Sequence, residues 1–410
     1  MDGKPGMSRQ DWSSNTAASN APSDTPSPGL PGGALRAIRV LEFTGLGPTP
    51  FAAMMLADHG AQVLRVERIG AVSAAGGDEH FNHLHRNRPA VAIDLKDSAG
   101  LALARHLAAC ADVLIEGYRP GTMERLGLGP DDLLPANPRL IYARMTGWGQ
   151  DGPLARTAGH DINYLAMTGA LYVMNPAGDV PVPPINLVAN FGGGGMAMVA
   201  GILAALVERA TSGQGQVIDA AMVDGASLLM TQVFAWTQMG IWREGRGNNL
   251  LDGSAYFYRC YRAACGGWIA VGALEPQFHD LFIAGLGLDP TQFPDHLDPA
   301  HWAARAERIA AVIARRSRAE WVARFADSDA CVTPVLSPAE AAVHPANRAR
   351  AMHGGGPAAP QPMPAPRLSR TPGSLRRPAA LAGEGSVATL TDWGIDSDRM
   401  AQLRAKGIVL

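Results

Sequence analysis

The first half of the chain alternates short, almost unbroken apolar runs with longer stretches of helical spacing. Ala37-Ile38-Arg39-Val40-Leu41-Glu42-Phe43 reads as a strand. A glycine turn follows, then a helix from about Pro50 to His59 and a second strand from Gln62 to Arg68. The rhythm continues with a strand over Ala90 to Leu95, a helix over about 98–109, and strands over Asp112 to Glu116 and Arg139 to Met145. Strands buried on both faces and linked by helices predict an α/β domain with a Rossmann-like parallel sheet. The run Phe191 to Val207 is the longest uncharged apolar stretch; closed by Glu208 and Arg209, it predicts a buried helix rather than a membrane span. A strand at Val217-Ile218-Asp219 and a helix over Ala220 to Leu229 complete this part.

The texture changes beyond residue 230. Ala255-Tyr256-Phe257-Tyr258, a strand at Trp268 to Val271 and helices over 301–316 and 318–327 predict a smaller α+β domain. Residues 1–34 are rich in Ser, Asn, Pro and Gly and read as a disordered tail. The expected division is therefore a large domain over 35–230, a small domain with its linkers over 231–340, and an extended linker over 341–410 that returns to the large domain.

Composition narrows the function. The 410 residues are 47% hydrophobic and 18% charged with a net charge of −2, which gives no electrostatic reason to bind nucleic acid or an anionic membrane. Cys110, Cys260, Cys265 and Cys331 show no CxxC pairing, so they read as reduced, mostly buried thiols of a cytoplasmic protein.

Three stretches invite chemical readings. Gly45-Leu46-Gly47-Pro48-Thr49-Pro50, with Glu67 downstream, approaches the dinucleotide fingerprint, but Pro50 stands where a third small residue is required. The expectation is a Rossmann-like layer without NAD. His80, His83 and His85 lack a carboxylate or cysteine at ligand spacing, so that segment reads as a polar surface loop rather than a metal site. Arg119 follows a strand's carboxyl end, where open α/β sheets bind ligands; taken with Arg68 and Lys96, an anionic ligand and a solvated edge stand as equal readings.

The densest chemistry lies between Gly159 and Glu208. Gly159-His160-Asp161-Ile162-Asn163-Tyr164 sets an imidazole beside a carboxylate, a pairing suited to proton transfer near neutral pH. Asn190 follows, then Gly192 to Gly195, expected to open a helix and offer backbone N–H groups to a developing negative charge. Met196, Met198, Met222 and Met230 read as core filling before a pliable acyl pocket.

From about Leu35 to Trp393 the chain resembles the α-methylacyl-CoA racemases of the family III (CaiB/BaiF-type) CoA-transferase superfamily. The resemblance is carried by Val40-Leu41-Glu42, Pro50-Phe51, Asp94-Leu95-Lys96, Glu116 to Leu128, Gly159 to Tyr164, Gly215 to Gly225, Val271 to Phe278 and Asp329 to Val335. It implies an interlocked homodimer without metal or redox cofactor, in which coenzyme A belongs to the substrate. It implies catalytic roles for His160, Asp161 and Glu275, with Glu275 supplied by the second chain. It also implies coenzyme A contacts at Arg68, at Ala92, Ile93, Asp94, Leu95 and Lys96, at Arg119, and around Gly159 and Tyr164.

The expected reaction removes and returns the α-proton of a 2-methylacyl thioester. One departure bears on it directly: the family's second acid/base, an aspartate, falls at Asn190, and an amide exchanges no proton in this range. An engineered change, a natural homologue with altered chemistry and rescue by Asp161 all fit that amide. The alternatives to racemisation are acyl-CoA:carboxylate CoA transfer and acyl-CoA binding with impaired turnover.

Overall fold

The structure is a computed structural model that describes residues 32–70, 78–174, 178, 180–356, 359–381, 383–384 and 386–410. The tail expected over 1–34 lies outside the described residues as far as position 31. The chain forms two compact units: residues to 160, 186–225 and 353–410 make the first, and 161–185 with 226–352 the second.

The first unit begins with β1 (Arg39–Phe43), α1 (Pro48–Asp58) and β2 (Gln62–Arg68), then β3 (Ala90–Ile93), α2 (Ser98–Ala109) and β4 (Val113–Glu116). Two single-turn helices, α3 (Thr122–Arg125) and α4 (Pro130–Leu133), lead to β5 (Ile141–Thr146). After α5 (Asp161–Met167) and α6 (Ala170–Val173) of the second unit, a π-helix over Leu187–Met196 runs into α7 (Ala197–Ser212), β6 (Val217–Ala221) and α8 (Met222–Leu229). The six strands form one parallel sheet in the order β3-β2-β1-β4-β5-β6, the doubly wound arrangement that the alternation predicts. β1, β3, β4 and β5 are buried on both faces, which is why they lack a clean period of two, whereas β6 is largely exposed.

Two local devices start the helices. Pro48 and Pro50 in the first turn of α1 preset its backbone, and Gly47 before them takes a φ of 65°, a conformation that favours glycine. Asp97 caps α2 by accepting the Ala99 N–H at 2.8 Å. Late in the chain, His353–Gly354 pairs antiparallel with Gln361–Pro362 as a two-residue ribbon.

The second unit contains α9 (Thr231–Gln238), β7 (Tyr258–Arg262), β8 (Trp268–Gly272), α10 (Pro276–Gly285), α11 (Trp302–Ile313), α12 (Arg318–Arg324) and β9 (Val332–Pro334). The short helices α13 (Pro338–Val343) and α14 (Pro345–Ala349) end it. Its three strands pair antiparallel as β7-β8-β9. They cover an aromatic core that includes Tyr256, Phe257, Phe282, Trp302, Trp321 and Phe325. The first unit then finishes with α15 (Ser386–Asp392) and α16 (Ser397–Ala405); their Leu390, Met400 and Leu403, with Trp393 just after α15, join the core beneath β3 and β4. Val409 bridges Ile93, the Leu410 N–H donates to the Ala92 carbonyl at 3.1 Å, and the sheet edge at β3 is thereby covered.

Two expectations need correction. Arg86 and Arg88 are not part of a polar surface loop but are buried. Arg86 grips Asp58 through both carboxylate oxygens, Nε to Oδ1 at 3.0 Å and Nη2 to Oδ2 at 2.5 Å. Arg88, fully buried, pairs with the equally buried Glu42 of β1. Their partners lie 28 and 46 positions earlier, so local composition carried no sign of burial. The helix expected to be buried over 191–207 is buried only on its inner face, against α1, β5 and β6. Outwardly, Leu203 and Val207 are exposed, and a third of the most apolar window within 187–212 is covered.

Candidate active site

Three of the expected ligand contacts share the carboxyl edge of the parallel sheet. Arg68 ends β2 and pairs in register with Ile93, the last residue of β3. Asp94, Leu95 and Lys96 follow directly, Lys96 exposed and its N–H bonded to Asp94 Oδ1 at 3.0 Å. Ala92 and Ile93 are buried strand residues, so any contact they make with a ligand is through the backbone. Arg119 stands exposed directly after Tyr118, which lies two residues beyond β4. Sequence reasoning missed Tyr118: burial, and then the charges of Glu116 and Glu42, push its hydroxyl up to about 12, while Arg68 nearby opposes the shift. Its neighbourhood to Arg68 ties the arginine at the end of β2 to the loop after β4, across the point where strand order reverses between β1 and β4.

Asn190 is placed at that reversal. It lies in the π-helix, half-buried, and a Cβ on Gly47 would meet its Nδ2 at 3.1 Å. The amide therefore rests over the β1–α1 turn, and the missing side chain at Gly47 makes room for it. A Cβ on Gly117 would meet the Thr49 hydroxyl at 2.3 Å, so the turn after β4 approaches the first turn of α1 closely. Pro48 and Pro50 further remove two N–H groups from the first turn of α1, and Glu67 is held by Arg65 Nε at 2.7 Å.

Gly192 to Gly195 do not open a helix. They lie inside the π-helix that begins at Leu187 and continues into α7, so their N–H groups are used in helical bonding. Gly193, Gly194 and Gly195 serve packing instead. A Cβ on Gly195 would strike Phe51 Cδ1 at 2.6 Å, one on Gly194 would meet Met222 Cγ at 2.8 Å, and one on Gly225 would overlap the Gly193 carbonyl at 1.8 Å. Phe191 stacks on Phe51 with ring centroids 4.6 Å apart and locks the π-helix onto α1. An uncommon π-helix at the Asn190 position is itself a feature typical of functional segments.

His160 ends the first unit's central segment, exposed to solvent just before α5, with Gly159 beside it half-buried. Asp161 begins α5 and is 5% exposed; an acidic residue there suits the positive end of the helix. Tyr164, one turn on, is buried, and burial with the Asp161 charge raises its hydroxyl pKa. In the second unit, Glu275 is the exposed N-cap of α10, and its charge, after burial, helps raise the pKa of Cys331. Cys260, Cys265 and Cys331 are exposed rather than buried, because β7 and the neighbouring turns turn one face outward; only Cys110 is half-buried. Among the described residues, no group of three His, Cys, Asp or Glu side chains is placed to hold a metal ion.

The profile of CoA-transferase family III matches residues 35–385. Over 378 residues the chain is 46% identical to the protein of Mus musculus named alpha-methylacyl-CoA racemase, covering 92% of this chain and 97% of that one. It is 42% identical to the Homo sapiens protein of the same name over 379 residues, with the same coverage. In fold it is similar to a CAIB/BAIF family protein from Brucella suis, with a TM-score of 0.76 and 24% identity over 88% of this chain and 100% of the other.

Proposed function

Because the chain belongs to CoA-transferase family III, we propose that it epimerises 2-methylacyl-CoA thioesters through an enolate. The single observation that carries this reading is 46% identity along nearly the whole length of a protein named alpha-methylacyl-CoA racemase. Coenzyme A enters as part of the substrate, its phosphates taken by Arg68, Lys96 and Arg119 along the carboxyl edge of the sheet, with backbone contacts from residues 92–96. Arginine suits this role because its planar fork matches phosphate oxygens.

The reaction breaks the C2–H bond, sends its electron pair toward the thioester oxygen, and returns a proton to the opposite face, so that nothing is consumed. His160 takes the proton on one face as an exposed imidazole of ordinary reach. Glu275, from a second copy of the chain, orients and balances that imidazole. Exposed apolar residues on α7 in the first unit and on α8 and α9 in the second, including Val207, Leu228 and Phe234, support self-association. Asp161, buried at the start of α5, positions its neighbours. The enolate oxygen takes its donors from outside the glycine run, whose N–H groups are used within the helix.

At the opposite face stands Asn190. An amide accepts and donates hydrogen bonds but neither removes nor returns a proton. The native chain is thus a slow racemase, reduced by ~10²–10⁴-fold relative to one with an aspartate at this position. Incubation of each C2 epimer in heavy water, with native and Asn190→Asp proteins, tests this. The family's own description favours CoA transfer as the second reading. Movement of coenzyme A to a free carboxylic acid by the native chain would establish it in place of the first.

A further inference from the structure

The backbone that carries Glu275 is fastened by a histidine that the proton transfer does not use, itself stacked on a second. His279, one turn into α10, is 2% exposed, and its backbone N–H makes the ordinary first-turn helix bond to the Glu275 carbonyl at 2.9 Å. His296 lies with its ring stacked on that of His279, centroids 4.6 Å apart at 22°. Its Nε2 is 3.0 Å from the Leu274 carbonyl. A carbonyl only accepts, so Nε2 of His296 carries the proton and donates it.

The buried ring is fixed in turn by its own partners. Nδ1 of His279 faces Asp280 Oδ1 at 3.2 Å and donates to it. Its Nε2 therefore accepts from the Tyr256 hydroxyl at 2.7 Å, and Arg305 Nη1 reaches that hydroxyl at 3.5 Å. Phe257 stands edge-on to both imidazoles, with centroids 6.1 and 5.2 Å away. Every polar atom of the His279 ring is thus engaged, which fixes the plane on which the His296 ring stacks.

We propose that His296, seated on His279, is a positioning residue for Glu275: its hydrogen bond to the Leu274 carbonyl fixes the peptide plane that aims the carboxylate. This rests on the reading that Glu275 takes part in the proton transfer. Tyr256, Asp280, His296 and Arg305 are the titratable and charged groups that face His279. Burial holds His279 below its ordinary value, His296 and Arg305 act the same way, and Asp280 opposes them. The ring is neutral at neutral pH, as the assigned donor and acceptor pattern requires.

The test is a double-variant cycle on the full chain, following deuterium exchange at C2 of a 2-methylacyl-CoA. His296→Phe keeps a ring on the stack but removes the donor, and is expected to lower kcat by about tenfold to a hundredfold with KM unchanged. His296→Gln retains a donor and should recover most of that loss. Adding His296→Phe to Glu275→Gln should cost nothing further, because both act through one carboxylate. If the two losses multiply, or if His296→Gln is as slow as His296→Phe, the proposal is overturned while the role of Glu275 stands. If Glu275→Gln alone exchanges at the native rate, the role of Glu275 falls and the proposal falls with it. Should His296→Phe fail to fold, His296→Asn, too short to reach the carbonyl, must show the same kcat loss; full activity there overturns the proposal.

Discussion

Glu42 and Arg88 show at the scale of single residues how far the sequence could be read. Both are fully buried and face each other, and Arg88 also donates to the Leu84 carbonyl. Removing one partner leaves a buried charge without its counterpart, so Glu42→Gln or Arg88→Met should lower unfolding free energy in urea by about 3–5 kcal/mol. The pair was invisible in sequence because its members are 46 residues apart and Arg88 follows a histidine-rich stretch of loop composition. His160 is singled out in the sequence by its local pairing with Asp161, whereas Glu275 is singled out only by the family resemblance.

His85 gives the pH dependence. Burial, then the charges of Arg65 and Arg88, push it down to about 3 from 6.5. Between those values the unfolded chain binds the proton and the folded chain does not, so stability is complete above pH 6.5 and falls as pH drops. His279 acts in the same direction. Each group contributes at most about 1.4 kcal/mol per pH unit. The urea midpoint should therefore be lower at pH 5.5 than at 7.5, and His85→Gln should flatten part of that slope.

Among the elements, the parallel strands were legible because strands covered on both faces are apolar throughout, and β2 and α2 fall where the pattern put them. The π-helix was not. Apolar runs rich in glycine fit a helix opening and a tight packing face equally well, and only the three-dimensional neighbours decide. Here Gly193 and Gly225 bring two helical segments to backbone contact. Gly225→Ala forces those backbones apart and should cost about 1–3 kcal/mol or more in thermal or urea unfolding. An alanine tolerated without loss would mean the two segments separate easily.

At the scale of the whole molecule, the sequence showed which stretches form sheets and helices but not which surfaces stay uncovered. Val207, Leu228 and Met239 are each more than two-thirds exposed, an apolar excess that a second copy of the chain would cover. Sedimentation at micromolar concentration should give twice the chain mass, and Val207→Arg should shift the population toward single chains. A monomer in the native protein would leave Glu275 without a route to the thioester as proposed.

Exchange at the carbon next to the thioester tests the account most directly. In heavy water, the native chain should take up deuterium at C2 of either epimer slowly. Asn190→Asp should take it up ~10²–10⁴-fold faster, and His160→Ala in that background should abolish the gain. If neither the native nor the Asn190→Asp protein exchanges that hydrogen from either epimer, the chain is no racemase.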